Sequence, residues 1–474
     1  MQDLQVKTYT GNDASLNPET IEKLKQSIRG KVLTPESEQY NEARTIWNAM
    51  IDKRPALIVR CAGAADVMRA VRFAAEHKLL VAVRGGGHNI AGNAVCDGGL
   101  MIDLSPMKSV RIDTKGMTAR VEPGVTLGEF DRDTQAFGLA TPVGINSTTG
   151  IAGLTLGGGF GWLSRKLGLT IDNLISADVV TAAGELVTAS ETDHPDLFWG
   201  IRGGGGNFGV VTSFEFRLHK VGPEVLAGFI VHPLDAAGDV LRFYRDFVKT
   251  TPQEFVCWFV LRLAPPLPFL PAEWHGKAIL ILAVCYAGDL KEGERVAKPL
   301  RSFGKPVADI IGPMPFTAWQ TVLDPLLTPG MRNYWKSHDF KEVSDGLIDA
   351  LLSHARRLPD PQTEIAFALL GEGVTKVAKE ATAYTHRDAG FVLNVHTRWD
   401  NPSNDAKCIG WARELFQATA PFATGGAYVN FMTQEEQDRV RSAYGSNYRR
   451  LATLKKKYDP KNLFRLNQNI QPGE

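Results

Sequence analysis

The sequence predicts an α+β protein with two domains. At 474 residues, the chain is too long for one ordinary hydrophobic core. Its first half interleaves strand and helix patterns with three glycine-rich segments, within 85–99, 150–161 and 203–209. After about residue 220, strand-like runs alternate with helical stretches, which indicates a second sheet with helices on one face. We expect this sheet to be mainly antiparallel.

The elements of the first half follow from hydrophobic period and from proline and glycine positions. Pro18 and Pro35 each open a predicted helix, and Val67, Ala70 and Val71 belong to the apolar stripe of a third. Ala183-Gly184 separates the two strands of a hairpin. The predicted elements are helices 18–29 and 35–48, strand 56–60, helix 65–77, strands 79–83, 100–104, 109–113 and 118–121, helix 126–137, hairpin strands 174–181 and 186–188, and strand 210–218.

The second half has a simpler pattern. Strands are predicted at 255–263, 277–285, 364–370 and 390–398, with one more around Tyr334 and Lys336, and helices near 235–250, 291–303, 343–356 and 403–419. The pattern is lost after residue 425, where a short Tyr-Val-Asn-Phe segment and a charged helix follow.

Composition excludes several classes of protein. With a net charge of +1, nothing favours nucleic acid or an acidic membrane as a partner. The five cysteines are scattered without metal-ligand spacing, so we expect reduced, buried thiols, no metal site and a cytoplasmic protein. The first residues contain no apolar signal core, and no apolar stretch is long enough to cross a bilayer.

The glycine segments indicate a bound cofactor. None is followed by the Gly-Lys-Ser/Thr of a phosphate-binding loop, and none has the spacing of a dinucleotide fingerprint. One glycine run is usually a turn, but three in one domain suit a long ligand with a pyrophosphate and two ring systems, such as FAD. In Arg84-Gly85-Gly86-Gly87-His88-Asn89, which follows a strand, the neutral imidazole of His88 is a competent nucleophile toward a flavin methyl group.

Several motifs together resemble one family, the berberine bridge enzyme-like oxidases within the vanillyl-alcohol oxidase, or PCMH, type of FAD-binding fold. The closest likeness is to its monocovalent bacterial, hydroxynicotine oxidase-like members. The resemblance covers most of the chain and is strongest at 50–220 and 425–472. The motifs are the 84–89 segment, Gly157-Gly158-Gly159-Phe160-Gly161, Gly168-Leu169-Thr170-Ile171-Asp172-Asn173, Asp196-Leu197-Phe198-Trp199, Arg202–Gly209, Tyr428-Val429-Asn430-Phe431, Tyr444–Tyr448, Lys457–Phe464 and Asn467–Ile470.

The resemblance implies FAD bonded through its 8α position to His88. Where many relatives have a second attachment through cysteine, this chain has Asn146, so one covalent bond is expected. It also implies an FAD-binding domain over 1–220, with its core at about 52–220, a substrate domain over 221–424, and a segment 425–474 that returns to the first domain. The sheet of the substrate domain would cover the flavin ring.

The expected site combines these motifs. The predicted cofactor-binding residues are Arg84, Gly85, Gly86, Gly87, His88, Asn89, Gly92, Thr149, Gly150, Gly153, Gly157, Gly158, Gly161, Val211, Asn467 and Asn469. Residues that alternate on predicted strands of the second domain are candidates for substrate contacts, namely Tyr334, Lys336, Asn394 and His396, although a solvated face is at least equally compatible with the pattern. The resemblance points to Tyr428 as the base, although a core aromatic role is equally compatible with the sequence.

The predicted function is an FAD-dependent oxidase. We expect hydride transfer from a C–H bond of a small alcohol, amine or sugar-like substrate to flavin N5, followed by reoxidation with O2 to give H2O2. A base near the substrate would assist this step. One alternative is a dehydrogenase or oxidative cyclase that does not use O2, and another is a flavin- or ligand-binding protein without catalysis.

Overall fold

The computed structural model describes residues 3–473 and contains three main sheets, two of them in the first half of the chain. Residues 1, 2 and 474, at the ends of the predicted segments 1–220 and 425–474, lie outside the described residues. The first sheet has four strands, and three of them are parallel because helices connect or flank them. In spatial order its strands are Lys31–Leu33, Leu57–Arg60, Leu100–Asp103 and Val81–Arg84.

The second sheet is antiparallel, with five strands. It contains the predicted hairpin, in which Val179 pairs with Val187. In spatial order its strands are Leu186–Ser190, Leu174–Val180, Val210–Arg217, Thr118–Val121 and Val110–Asp113. Two short two-stranded ribbons accompany these sheets, Leu4–Lys7 with Asp13–Leu16 and Leu139–Ala140 with His219–Lys220.

The third sheet forms the second half of the molecule and is antiparallel throughout. In spatial order its strands are Ala308–Asp309, Glu224–Pro233, Ala278–Tyr286, Phe255–Leu263, Glu364–Leu369, Phe391–Trp399 and Arg332–Phe340, with Gly312–Pro315 also paired to Glu224–Pro233. The sequence did not predict Glu224–Pro233, because residues 225–232 are all buried and therefore lack a polar–apolar alternation.

Helices cover the first domain and one face of the third sheet. In the first domain they are Pro18–Ser27, Tyr40–Arg44, Ala64–Glu76, Leu127–Gln135, Ile151–Leu156, Ser164–Leu167 and Pro195–Ile201. In the second they are Ala237–Phe247, Leu290–Arg301, Phe316–Thr321, Asp345–Ala355, Glu372–Thr375 and Asp405–Thr419. The apolar stripes of Ala237–Phe247, Asp345–Ala355 and Asp405–Thr419 form one core with the sheet.

The helix predicted over 35–48 is reduced to Tyr40–Arg44. Beyond it, the chain leaves helical geometry to contact the second domain. The Asn48 side chain donates to the carbonyl of Asn333 at 3.0 Å, and the Ala49 amide donates to the carbonyl of Met331 at 2.9 Å. Tertiary contacts have overridden the local helical pattern.

The last part of the chain packs against the five-stranded sheet. Helices Val440–Tyr444 and Tyr448–Tyr458 pack into the core of the five-stranded sheet. Lys455 is fully buried, where it pairs with Asp459 at 2.7 Å and donates to the carbonyl of Asn207 at 2.8 Å. A buried charge is stable only with such partners, so these bonds hold the C-terminal segment against the glycine-rich loop around Asn207.

Polar contacts also join the second domain to the first. Arg387 donates two hydrogen bonds to Asp172, both at 2.7 Å, and Gln320 donates to Asp131 at 2.8 Å. Within residues 3–473, the helices are all too short or too polar to cross a membrane.

Candidate active site between the glycine loops and the sheet

A cavity of about 320 Å³ lies where the first domain meets the helix-free face of the third sheet. We call the wall built from residues within 85–89, 149–154 and 205–211 the floor. The opposite wall, the roof, consists of the cavity-facing side chains of Trp258, Trp335, Glu364, Ala366, Ala368, Val392, Asn394 and His396. Strand alternation explains the roof, because Ile365 and Phe367 point the other way into the core.

The floor is shaped by glycine at specific places. A Cβ on Gly86 would overlap the backbone of Gly150, so the absence of side chains lets these two loops touch. A Cβ on Gly153, by contrast, would meet no described atom within 4 Å. Because Gly153 lines the cavity, any side chain there would enter the cavity. The floor is therefore bare backbone that leaves room for a large ligand.

His88 lies at one end of the floor. Its ring stacks on Trp47, with ring centroids 5.0 Å apart, and its Nε2 lies 2.9 Å from Thr148 Oγ1. The indole nitrogen of Trp47 in turn donates to the carbonyl of Leu327 at 3.2 Å. Burial lowers the pKa of His88 to about 3, so the imidazole is neutral near pH 7.

The predicted cofactor residues divide into two groups. Those that line the cavity are Gly85, Gly86, Gly87, His88, Asn89, Thr149, Gly150, Gly153, Val211 and Asn467. The others lie behind its wall, namely Arg84, Gly92, Gly157, Gly158, Gly161 and Asn469.

Protein contacts explain four residues of the second group. A Cβ on Gly157 would overlap Asn430, one on Gly161 would overlap the carbonyl of Val143, and one on Gly92 would lie 2.8 Å from Ile51. Arg84 donates to the carbonyl of Ala43. These glycines allow close packing within the protein, and their positions give no direct contact with the cavity.

Tyr428 lies on the cavity wall among aromatic rings. Its hydroxyl oxygen accepts hydrogen bonds from the Gly159 amide and from Asn430 Nδ2, both at 3.0 Å. Burial raises the pKa of Tyr428 to about 12, although these two hydrogen bonds partly offset the effect. Tyr428 is therefore a neutral phenol near pH 7 that can donate its own proton, and it is poorly suited to act as a base.

The roof holds a different group that can accept a proton. His396 Nδ1 lies 3.0 Å from Glu364 Oε1, and Arg262 donates to the other carboxylate oxygen at 2.7 Å. Burial alone would raise the pKa of Glu364, but the charge of Arg262 and the bond to His396 outweigh it and hold that pKa at about 2. The ionised carboxylate keeps the proton on Nδ1, which leaves the Nε2 lone pair free.

Tyr334 and Lys336 do not line this cavity. They lie on the same strand as Trp335 but point to the opposite face. There, Tyr334 donates to Glu435, and Lys336 forms an ion pair with Glu435 at 2.8 Å. Alternation correctly indicated that Tyr334 and Lys336 share a face, but that face packs against the helix Asp405–Thr419 and the C-terminal segment.

Sequence reasoning missed most of the aromatic wall. Besides Tyr428, the cavity is lined by Trp47, Phe160, Trp258, Trp335 and Phe431. Trp335 packs edge-on to His396, with ring centroids 4.7 Å apart, because the two are cross-strand partners. The pairing of the two strands was the signal that could have found Trp335, since Asn394 and His396 were already predicted.

Polar atoms without partners indicate what the cavity holds. Five buried polar atoms of lining residues have no hydrogen-bond partner among residues 3–473, namely Asn93 Nδ2, Gln468 Oε1, Trp335 Nε1, Asn394 Oδ1 and His396 Nε2. Each such atom costs about 1–3 kcal/mol unless a ligand or water satisfies it. The first two lie on the first-domain side and the other three on the roof. Together with the open space at Gly153, this arrangement fits FAD against the floor and a substrate against the roof.

Two family models match the chain. A model described as an FAD-binding domain matches residues 55–190, and one described as berberine and berberine-like matches residues 427–471. The first match contains the floor loops around His88 and Gly150. The second contains Tyr428 and the C-terminal segment.

Individual proteins match over almost the whole chain. An FAD-linked oxidoreductase of Dictyostelium discoideum is 32% identical, with 94% of this chain and 96% of the relative covered. The (R)-6-hydroxynicotine oxidase of Paenarthrobacter nicotinovorans is 33% identical, with coverage of 94% and 97%. The crystal structure of 6-hydroxy-D-nicotine oxidase from Arthrobacter nicotinovorans superposes with a TM-score of 0.85 at 30% identity and covers 94% of this chain and 99% of its own.

Proposed function

This chain belongs to the berberine-like family of FAD-linked oxidoreductases, and we propose that it is an oxidase with FAD bonded to His88. It is an enzyme of the oxidoreductase class with the α+β architecture of PCMH-type flavoenzymes. Its proposed substrate is a small, ring-containing alcohol or amine, and its proposed electron acceptor is O2.

The arrangement of the two cavity walls carries this proposal. The floor offers backbone, open space and a neutral imidazole, which suit a permanently bound cofactor. The roof offers aromatic rings with only a few polar groups, which suit a compact, largely apolar ring. The roof provides only Glu364, Asn394 and His396 as polar side chains, which favours a compact ring with few polar groups over a sugar.

The chain's own residues would act on the substrate as follows. FAD, when bound, supplies the acceptor for a hydride from the substrate C–H. His396 Nε2 would take the proton from the neighbouring O–H or N–H, and Glu364 would stabilise the charged imidazole. Tyr428 would donate a hydrogen bond that orients the substrate, and the aromatic walls would exclude water.

Two experiments test this function. The first photoreduces the purified holoenzyme under nitrogen, mixes it with air-saturated buffer and measures peroxide. An oxidase should produce one peroxide per flavin much faster than free reduced flavin does, whereas a rate near that of free flavin would favour the dehydrogenase alternative. The second follows anaerobic bleaching with (R)-6-hydroxynicotine, other cyclic amines, arylalkyl alcohols and chitooligosaccharides. Bleaching by the oligosaccharides alone would contradict the proposed substrate class.

A further inference from the structure

A chain of hydrogen bonds reaches His88 from the loop 144–149. Thr148 Oγ1 lies 2.9 Å from His88 Nε2 and 2.7 Å from Asn146 Oδ1. The backbone amide of Thr148 also lies 3.0 Å from the same Asn146 oxygen. All three residues are within or beside the floor of the cavity.

The donor and the acceptor of each of these hydrogen bonds follow from the backbone amide of Thr148. A backbone amide only donates, so the Asn146 atom that faces it must be the carbonyl oxygen and not the amide nitrogen. The Thr148 hydroxyl must then donate its single proton to that oxygen. The lone pairs of the Thr148 hydroxyl oxygen remain, and they accept a hydrogen bond from His88 Nε2–H. The imidazole is therefore held as the Nε2–H tautomer.

The other ring nitrogen carries the lone pair, to which the Thr149 hydroxyl can donate only a long hydrogen bond. His88 Nδ1 has only a long contact with Thr149 Oγ1, at 3.4 Å. Stacking on Trp47 fixes the plane of the ring, and the bond from Trp47 to the carbonyl of Leu327 fixes the indole. Ring orientation and tautomer are both set before any ligand arrives.

We propose that Asn146 and Thr148 are positioning residues for covalent attachment of FAD, and that they select Nδ1 of His88 as the bonding atom. This inference rests on the proposed attachment at His88. The chemical step is general for a neutral imidazole, but the choice of nitrogen follows from the hydrogen-bond chain in this protein. In this proposal both residues act through the imidazole of His88.

The atoms and electrons of attachment balance as follows. A bond forms between Nδ1 and the 8α carbon, whose methyl group loses one hydrogen as a proton, while the imidazole loses the proton on Nε2. The two electrons of the broken C–H bond stay in the flavin ring, which takes up these two protons. O2 then accepts the two electrons and the two protons and becomes H2O2. During attack, positive charge develops on the imidazole, and the Nε2–H bond to Thr148 strengthens as it does so.

The test follows covalent attachment and needs no substrate. Apoprotein is mixed with FAD in air, and acid-stable flavin is measured over time by intact mass and by fluorescence of the denatured band. Thr148→Val removes the hydroxyl at nearly constant volume, and we expect attachment to slow by roughly 10- to 100-fold, the range for a hydrogen bond to a charged group. Thr148→Ser should restore most of the rate.

Thr141→Val is the matched control, because the Thr141 hydroxyl is buried without a hydrogen-bond partner among residues 3–473 and Thr141 does not line the cavity. It should attach FAD at nearly the rate of the unmodified protein. Asn146→Ala provides a second route if Thr148→Val folds poorly, which circular dichroism reports, because it frees the Thr148 proton to turn toward Nε2 and should also slow attachment. A crystal structure of the holoprotein, or NMR of the flavin peptide, should find the bond at Nδ1.

The outcomes separate this inference from the proposed function. Acid-stable flavin in His88→Ala would disprove attachment at His88 itself. If His88→Ala loses the bond but Thr148→Val and Asn146→Ala attach FAD at the normal rate, only the positioning role is overturned. A bond at Nε2 would reverse the tautomer assignment and overturn the positioning role as well. Attachment slowed equally in Thr141→Val and Thr148→Val would show a general effect of losing a threonine hydroxyl and would also overturn it.

Discussion

The floor and the roof of the cavity differ in what they are made of. The floor is mainly backbone, shaped where Gly86 meets Gly150 and left open at Gly153. The roof is built from side chains on sheet strands, above all Trp335 and His396. Backbone recognises what most flavins share, whereas side chains recognise one substrate. The contrast predicts that FAD binding and substrate oxidation can be disrupted separately.

The largest effect is expected from the roof. His396→Gln keeps a polar side chain of similar length but cannot accept a proton. We expect the anaerobic rate of flavin reduction to fall by about 10²- to 10⁴-fold, the usual contribution of a general base, while the amount of acid-stable flavin stays unchanged. Stopped-flow bleaching measures the rate.

Glu364→Gln is the companion variant, because it removes the charge that stabilises protonated His396 but leaves the ring in place. Its effect should be smaller than that of His396→Gln. Equal reduction rates in His396→Gln and the unmodified enzyme would exclude His396 as the base.

A change in the floor should affect the cofactor only. Gly153→Leu places a side chain in the cavity, and we expect FAD affinity to fall roughly 10- to 100-fold, equivalent to about 1–3 kcal/mol of steric cost. Combining Gly153→Leu with His88→Ala removes the proposed covalent bond and makes FAD binding reversible. Flavin fluorescence then gives the Kd of FAD, to be compared with that of His88→Ala alone.

Gly153→Ala serves as the control for this variant, because its methyl group is small and improves helix propensity. Thermal unfolding of the apoprotein should change little in either case, since Gly153 faces open space. Unchanged FAD affinity in the leucine variant would show that this part of the floor does not contact the cofactor.

The sequence predicted the floor far better than the roof, and there is a physical reason. Each glycine segment is a continuous run of residues, and His88 directly follows one of them, so the pattern is visible without knowing the fold. Trp335 joins His396 only because strands Arg332–Phe340 and Phe391–Trp399 pair in one register. Alternation shows which residues share a face of a strand, but it cannot tell which face meets the cavity, and Tyr334 and Lys336 were misplaced for this reason.

Substitution of Tyr428 tests a cavity residue that belongs to neither the floor nor the roof. Its hydroxyl already accepts two hydrogen bonds, and burial raises its pKa to about 12, so we expect it to act as a hydrogen-bond donor to the substrate. Tyr428→Phe should therefore slow flavin reduction only about 10-fold, the value of one hydrogen bond, and should leave covalent FAD intact. A loss as large as that of His396→Gln would instead favour Tyr428 as the base.

The smallest effect is expected when the pH is varied during covalent attachment of FAD to His88. Burial lowers the pKa of His88 to about 3, so its imidazole stays neutral and nucleophilic between pH 8 and pH 5. An ordinary histidine, with a pKa near 6.5, would be mostly protonated at pH 5, and its attachment rate would fall about 30-fold. We expect less than about a two-fold change in the rate of acid-stable flavin formation.

This pH series should stop at pH 5. The unfolded chain takes up a proton on His88 near pH 6.5, whereas the folded chain resists it until about pH 3, so acid also lowers stability across that window. A rate that falls in proportion to the neutral fraction of a free histidine would mean that solvent reaches His88 before FAD does. The floor would then be an open surface that closes around its ligand, and the contrast with the rigid roof would lie in mobility as well as in composition.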